Sequence, residues 1–183
     1  RKSEGNFDEL SLVHLDLVSL VREVFLCFRQ IAHSRDINYT METEIETYPC
    51  YGDLEKLEIC FFNLLQNALK YTQDGGMVAL YIKSTAIGIR IEISDSGKGT
   101  PTLLKEDIFK PFQRDFSSSN SVKEGFGIGL FLVKKFVEIH QGEITYYSNP
   151  DRGMTFCVDL PQHAILGDKD HILEVAHNVS SWE

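Results

Sequence analysis

Between Leu54 and Tyr71 the chain reads LEKLEICFFNLLQNALKY, and Leu57, Phe61, Leu64 and Ala68 recur every three or four residues, the period of one face of an α-helix. A stripe of that kind must be buried against another layer. Leu65 and Leu69 widen it. Asn63 and Asn67 interrupt this apolar segment four residues apart, so they share a helix face, and Lys70 follows three residues later along it. Polar residues so placed are ordinarily a solvated surface. Their neighbours decide whether they are a ligand site instead.

Upstream, Leu17, Val21, Val24, Phe28 and Ile31 keep a helical period behind Asp16, a residue suited to the N-cap, which predicts a first helix that buries them. INYTMETEI (37–45) alternates as a strand does, TYPCYG (47–52) reads as a loop, and QDGG ends the second helix. MVALYIKS and GIRIEISDSG then read as neighbouring strands joined near 86–88. A third helix is expected over 127–140, with Ile128, Leu132, Val133, Phe136 and Val137 inward, and GEITYYSN and GMTFCVDLP form a last strand pair about the turn PDRG. This order predicts an α/β fold of two layers, a mixed sheet covered on one face by three helices. A length of 183 residues with 43% hydrophobic content suffices for one domain with a substantial core.

The formal net charge of -9 and the lack of a basic run count against nucleic acid or an anionic membrane surface as partner. No stretch nears the ~18 apolar residues of a membrane span. Cys27, Cys50, Cys60 and Cys157 show neither CxxC nor Cys/His metal spacing, and there is no signal peptide, so a reducing cytoplasm is expected. The opening RKSEG, without an initiator Met, reads as the start of a fragment.

Two glycine clusters carry more information. DSGKG (95–99) leaves a strand and GFGIGL (125–130) enters a helix, and both are places where backbone can approach a ligand closely, with helix-start N–H groups favouring phosphates. GFGIGL lacks the lysine and Ser/Thr of a Walker P-loop. The HRD and DFG elements of protein kinases are missing as well.

Taken in order, NLLQNALKYT (63–72), DSGKG, IFKPFQR (108–114) and GFGIGL resemble the N, G1, F and G2 boxes of the catalytic and ATP-binding domain of sensor histidine kinases, within the Bergerat-fold ATPase superfamily. The resemblance spans roughly residues 10–161. It implies ATP and Mg²⁺ as ligands, Asn67 as the metal-binding amide, Asn63 as support for the metal shell, and Lys70 on phosphate oxygens, with Asn67 and Lys70 as the catalytic pair. Asp95 corresponds to the aspartate that accepts from the adenine amine, beside Gly97 and Gly99, and Thr155 to a threonine near the base. Tyr71 either lines the pocket or packs in the core. Residues 97–125 correspond to the ATP lid, with Phe109 and Phe112 as anchors, Pro111 between them, and Arg114 either closing on phosphate or solvated. Gly125, Gly127, Gly129 and Leu130 bring the start of the third helix to the phosphates.

No histidine among His14, His33, His140, His163, His171 and His177 has an acceptor setting, so the resemblance implies transfer of the γ-phosphoryl group to a histidine on a separate dimerisation domain of the same protein, and onward to a response regulator or receiver domain. The expected setting is the cytoplasmic part of a membrane-anchored sensor, without membrane contact by this segment. Residues 1–161 form the domain, and 162–183 a tail or linker. Thr100 and Phe126 depart from the family pattern. Two other readings stay open, an ATP-hydrolysing clamp and a nucleotide-binding module without phosphotransfer. Against the clamp, its water-activating glutamate would fall at Asn63, and an amide cannot take the proton.

Overall fold

In a computed structural model the chain is described over residues 9–98, 108–110 and 129–162. Its elements in order are β1 (Leu12–Asp16), α1 (Leu17–Cys27), α2 (Arg29–Ser34), β2 (Asn38–Thr43), β3 (Pro49–Asp53), α3 (Leu54–Tyr71), β4 (Met77–Thr85), β5 (Gly88–Asp95), α4 (Gly129–Ile139), β6 (Glu143–Ser148) and β7 (Met154–Pro161). Five strands form one sheet in the order β2-β4-β5-β7-β6, with β2 parallel to β4 and the remaining pairs antiparallel.

Alternation along the strands puts Val78, Leu80 and Ile82 of β4 and Ile89, Ile91 and Ile93 of β5 on one buried face. Against it lies the apolar stripe of α3, with Leu57, Phe61, Leu64, Leu65, Ala68 and Leu69 all buried. α3 is the middle helix, touching α1 on one side and α4 on the other. α1 adds Leu17, Val18, Val21 and Val24, and α4 adds Val133, Phe136 and Val137. The other face of the sheet is polar. There Arg90 pairs with Asp159 at 2.7 Å and Lys83 with Glu92 at 3.0 Å. The layering is the expected one.

Two details differ from expectation. The first helix is broken at Phe28, whose φ of -98° and ψ of -3° end α1 before α2 begins. The break shifts the helical phase, so Ala32 is buried and Ile31 is 51% exposed, while Phe28 rests on the ring of Phe62 at 4.8 Å. TYPCYG, expected as a loop, contains β3, which pairs antiparallel with β1 from Leu12↔Asp53 to Asp16↔Pro49 as a separate ribbon.

Both ends of α3 are tied down. Asp53 caps its start, accepting from the Lys56 N–H at 3.1 Å, from Lys56 Nζ at 2.8 Å and from the Ser11 N–H at 2.9 Å. Burial pushes the Asp53 carboxyl up, but these donors outweigh it and hold it below the usual carboxylate range. At the other end the Arg35 guanidinium donates to the carbonyls of Leu69 and Thr72, each at 2.6 Å, and to Asp74 at 2.8 Å. Among the described residues no helix is long and apolar enough to cross a membrane.

Candidate functional site

The side of α3 that carries Asn63, Asn67 and Lys70 is partly exposed, bordered by the buried Leu64, Ala68 and Leu69. Asn63 Nδ2 donates back to the Ile59 carbonyl at 2.8 Å, leaving Oδ1 toward α4. There a Cβ on Gly129 would lie 2.7 Å from it, so α4 starts close against Asn63, and a larger residue at 129 would displace the Asn63 amide. Leu130, next in line, packs against the core. One turn beyond Asn63 is Asn67, and near the helix end Lys70 Nζ stands 5.5 Å from the centroid of the Tyr71 ring. Tyr71 is 48% exposed, which places its ring at the surface rather than in the core. Asn63 to Tyr71 spans about 12 Å at 1.5 Å per residue.

Gly97 lies against the Tyr71 carbonyl, so the segment leaving β5 meets the end of α3. Asp95 continues the inward register of Ile89, Ile91 and Ile93, which carries its carboxylate to the helix side of the sheet, and it is only 6% exposed. Burial pushes its carboxyl above the usual range, opposed by the backbone N–H groups of Gly97, at 2.7 Å, and Met154. A buried acid at a strand end, next to the backbone that meets the end of α3, is a candidate for a recognition group.

Thr155 lies opposite Ser94 in the β5–β7 register, on the other face from the Asp95 carboxylate. Its hydroxyl is 3.0 Å from Ser94 Oγ and 2.7 Å from Asn149 Oδ1, while Asn149 Nδ2 donates to Ser94 Oγ at 3.1 Å and to the Asp95 carbonyl at 3.0 Å. Gly153, with φ of +93°, presses the β6–β7 turn onto that carbonyl: a Cβ there would lie 1.8 Å from it. Ser94 and Asn149 escape a reading of the sequence, which yields Thr155 and the turn PDRG from this corner. The glycine of GMTF, in a turn that needs positive φ, is the one signal that could have pointed to it.

Phe109 seats against Tyr146 with ring centroids 5.7 Å apart, under Lys134 Nζ at 5.8 Å, between α4 and β6. Gly99, Thr100, Pro111, Phe112, Arg114, Gly125, Phe126, Gly127 and most of the expected lid lie outside the described residues, as does the tail beyond 162. Among the described residues no group of three or more His, Cys, Asp or Glu side chains is arranged to hold a metal ion.

The family described as histidine kinase-, DNA gyrase B-, and HSP90-like ATPase matches residues 52–164. Histidine kinase P4 of Formosa agariphila is 33% identical over 164 residues, 88% of this chain and 12% of that protein. Sensor histidine kinase TmoS of Ectopseudomonas mendocina is 36% identical over 160 residues, 86% of this chain and 16% of that protein. The chain thus spans a small part of these relatives' length. Among solved structures, the catalytic domain of histidine kinase ThkA superposes with a TM-score of 0.73 and 27% identity, covering 82% of this chain and 97% of that one. ThkA in complex with the response regulator protein TrrA gives a TM-score of 0.71 and 26% identity, covering 85% of this chain and 43% of that one. With this two-layer fold, the chain belongs to the histidine kinase-, DNA gyrase B- and HSP90-like ATPases, as an ATP-binding catalytic domain of the sensor histidine kinase kind.

Proposed function

We propose that the domain binds Mg-ATP along α3, with the adenine amine donating to Asp95 and the triphosphate running toward Asn67, Lys70 and the start of α4, and gives its γ-phosphoryl group to a histidine on a separate dimerisation domain of the same protein. A response regulator or receiver domain then takes the phosphoryl group, a reading supported by the regulator complex of ThkA. Gly97 keeps the backbone close to the base and Tyr71 flanks it. Asn63 steadies the metal shell, and Gly129 and Leu130 bring α4 to the phosphates. Thr155, expected near the base, instead turns its hydroxyl to the opposite face of the sheet, toward Ser94 and Asn149. Gly99, Phe112, Arg114, Gly125 and Gly127 are assigned to the same site on the family motifs alone. The domain spans residues 1–161, and the four free cysteines suit a reducing cytoplasm.

Mg²⁺ takes one or two protein oxygens and keeps waters and phosphate oxygens for the rest of its shell, so a single amide oxygen from Asn67 on a half-exposed helix side fits it without an acidic cluster. The bound ion would neutralise charge on the triphosphate. Lys70 adds a mobile cation to the same charge. The chain's own contribution is to hold ATP in line for an incoming imidazole.

The observation that carries kinase over hydrolase is the amide of Asn63, turned back onto the Ile59 carbonyl where a hydrolase would hold a carboxylate. The test adds a separately produced acceptor-helix domain to this chain with labelled ATP. Transfer is expected with the unmodified chain and is lost in Asn67→Ala with the circular dichroism unchanged, while the chain alone turns ATP over very slowly. Asn63→Glu restores a carboxylate and raises hydrolysis without aiding transfer. Brisk hydrolysis by the unmodified chain in the absence of any acceptor overturns the assignment in favour of an ATPase clamp.

A further inference from the structure

We infer that Asn149, in the β6–β7 turn, is a positioning residue for base recognition: its carboxamide closes a hydrogen-bonded ring with Ser94 and Thr155 and clamps the Asp95 carbonyl from the face of the sheet opposite the Asp95 carboxylate. The inference rests on the reading of Asp95 as the group that accepts from the adenine amine.

Every hydrogen in the ring has one possible direction. The Asp95 carbonyl can only accept, so the atom of Asn149 at 3.0 Å from it is the amide nitrogen. The other amide atom, 2.7 Å from the Thr155 hydroxyl, is then the oxygen, which also only accepts, and Thr155 gives it its single hydrogen. Ser94 and Thr155 are 3.0 Å apart, and since Thr155 has no hydrogen left, Ser94 donates to it. Ser94 in turn accepts the second amide hydrogen of Asn149 at 3.1 Å. The three bonds run in one sense around the ring, an arrangement in which each polarises the next.

This ring fixes the peptide unit from which the Asp95 side chain projects. Gly153 bears on the same carbonyl, where any side chain would collide. The carboxylate is held from its own side by the Gly97 N–H at 2.7 Å, so Asp95 is gripped from both faces of the sheet. A hydrogen bond to the base is sensitive to angle and to tenths of an ångström, and Asn149 acts on it through Asp95, without touching the ligand.

The experiment measures binding of ATP and of ITP, whose base carries an oxygen in place of the exocyclic amine, by calorimetry on this chain and on its N149D, N149A and D95A variants. N149D keeps the acceptor toward Thr155 and removes both donors. N149A removes the same donors without adding a charge, and serves if the extra charge prevents folding. Thermal melting identifies the folded variants. The expected result is that ATP binds about five- to tenfold more weakly to a folded Asn149 variant while ITP binding hardly changes, so the preference for ATP shrinks. Equal losses for ATP and ITP, or an unchanged preference, overturn the positioning role when D95A does abolish the preference. If D95A keeps the preference, the reading of Asp95 fails and the inference falls with it.

Discussion

His140 follows α4 and is buried with both ring nitrogens engaged. Nε2 accepts from the Asp53 N–H at 3.0 Å, and Nδ1 donates to the Phe136 carbonyl at 2.6 Å, a pattern that only the neutral ring can satisfy. Burial depresses its pKa, opposed by the Phe136 carbonyl and the Asp53 charge, with Lys56 acting in the same sense as burial. The folded chain therefore binds fewer protons at this site than the unfolded chain, and stability is lost as pH falls below ~6.5 toward the depressed folded value. Asp16 and Asp53, both lowered from 3.8, lose their contribution only at still lower pH. Asp95, raised by burial, works the other way: its folded form holds the proton more tightly, so its contribution falls as pH rises through its window. The expected outcome is a melting temperature that drops between pH 7 and 5 in the ligand-free chain, with a flatter slope in His140→Gln. An identical slope in that variant would remove His140 as the cause.

At the scale of the element, α3 depends on Arg35 for its last turn. The guanidinium satisfies two carbonyls that the helix leaves without partners, next to the segment that bears Lys70 and Tyr71. Arg35→Ala is expected to cost on the order of 1–2 kcal/mol, seen as a lower urea midpoint with unchanged slope, and to speed amide exchange around 70–72. Unchanged exchange there would show that the apolar stripe alone holds the turn. α3 is also the element most legible in the sequence, because its signals are local: four apolar residues in phase, and QDGG at the stop. The β1–β3 ribbon is illegible for the opposite reason. Pro49 and Gly52 have turn composition, and what makes 49–53 a strand is a partner at 12–16. In the site, Asn63, Asn67, Lys70, Asp95 and Gly97 stand in short motifs and can be picked out one by one. Asn149 cannot, since its role exists only once β6 and β7 have carried it back to β5.

For the molecule as a whole, the four helices described and the sheet share one core, so a ligand bound at the proposed site would stabilise the entire unit. Mg-ATP at about 100 times its Kd adds ~2.7 kcal/mol, which corresponds to about 5–10 °C in a chain of this size. Asp95→Ala at the same nucleotide concentration should forfeit most of that shift, and a full shift in the variant would put the nucleotide elsewhere. The strand order has a bearing on how the chain is made. β5, the middle strand, is flanked by β4, which precedes it directly, and by β7, the last strand described. During ribosomal synthesis one edge of the Ile89–Ile91–Ile93 strand stays open until residue 161 has emerged, an apolar template for mispairing with neighbouring nascent chains. Slow translation between β5 and β7 lengthens that window, and protection by a chaperone matters most there.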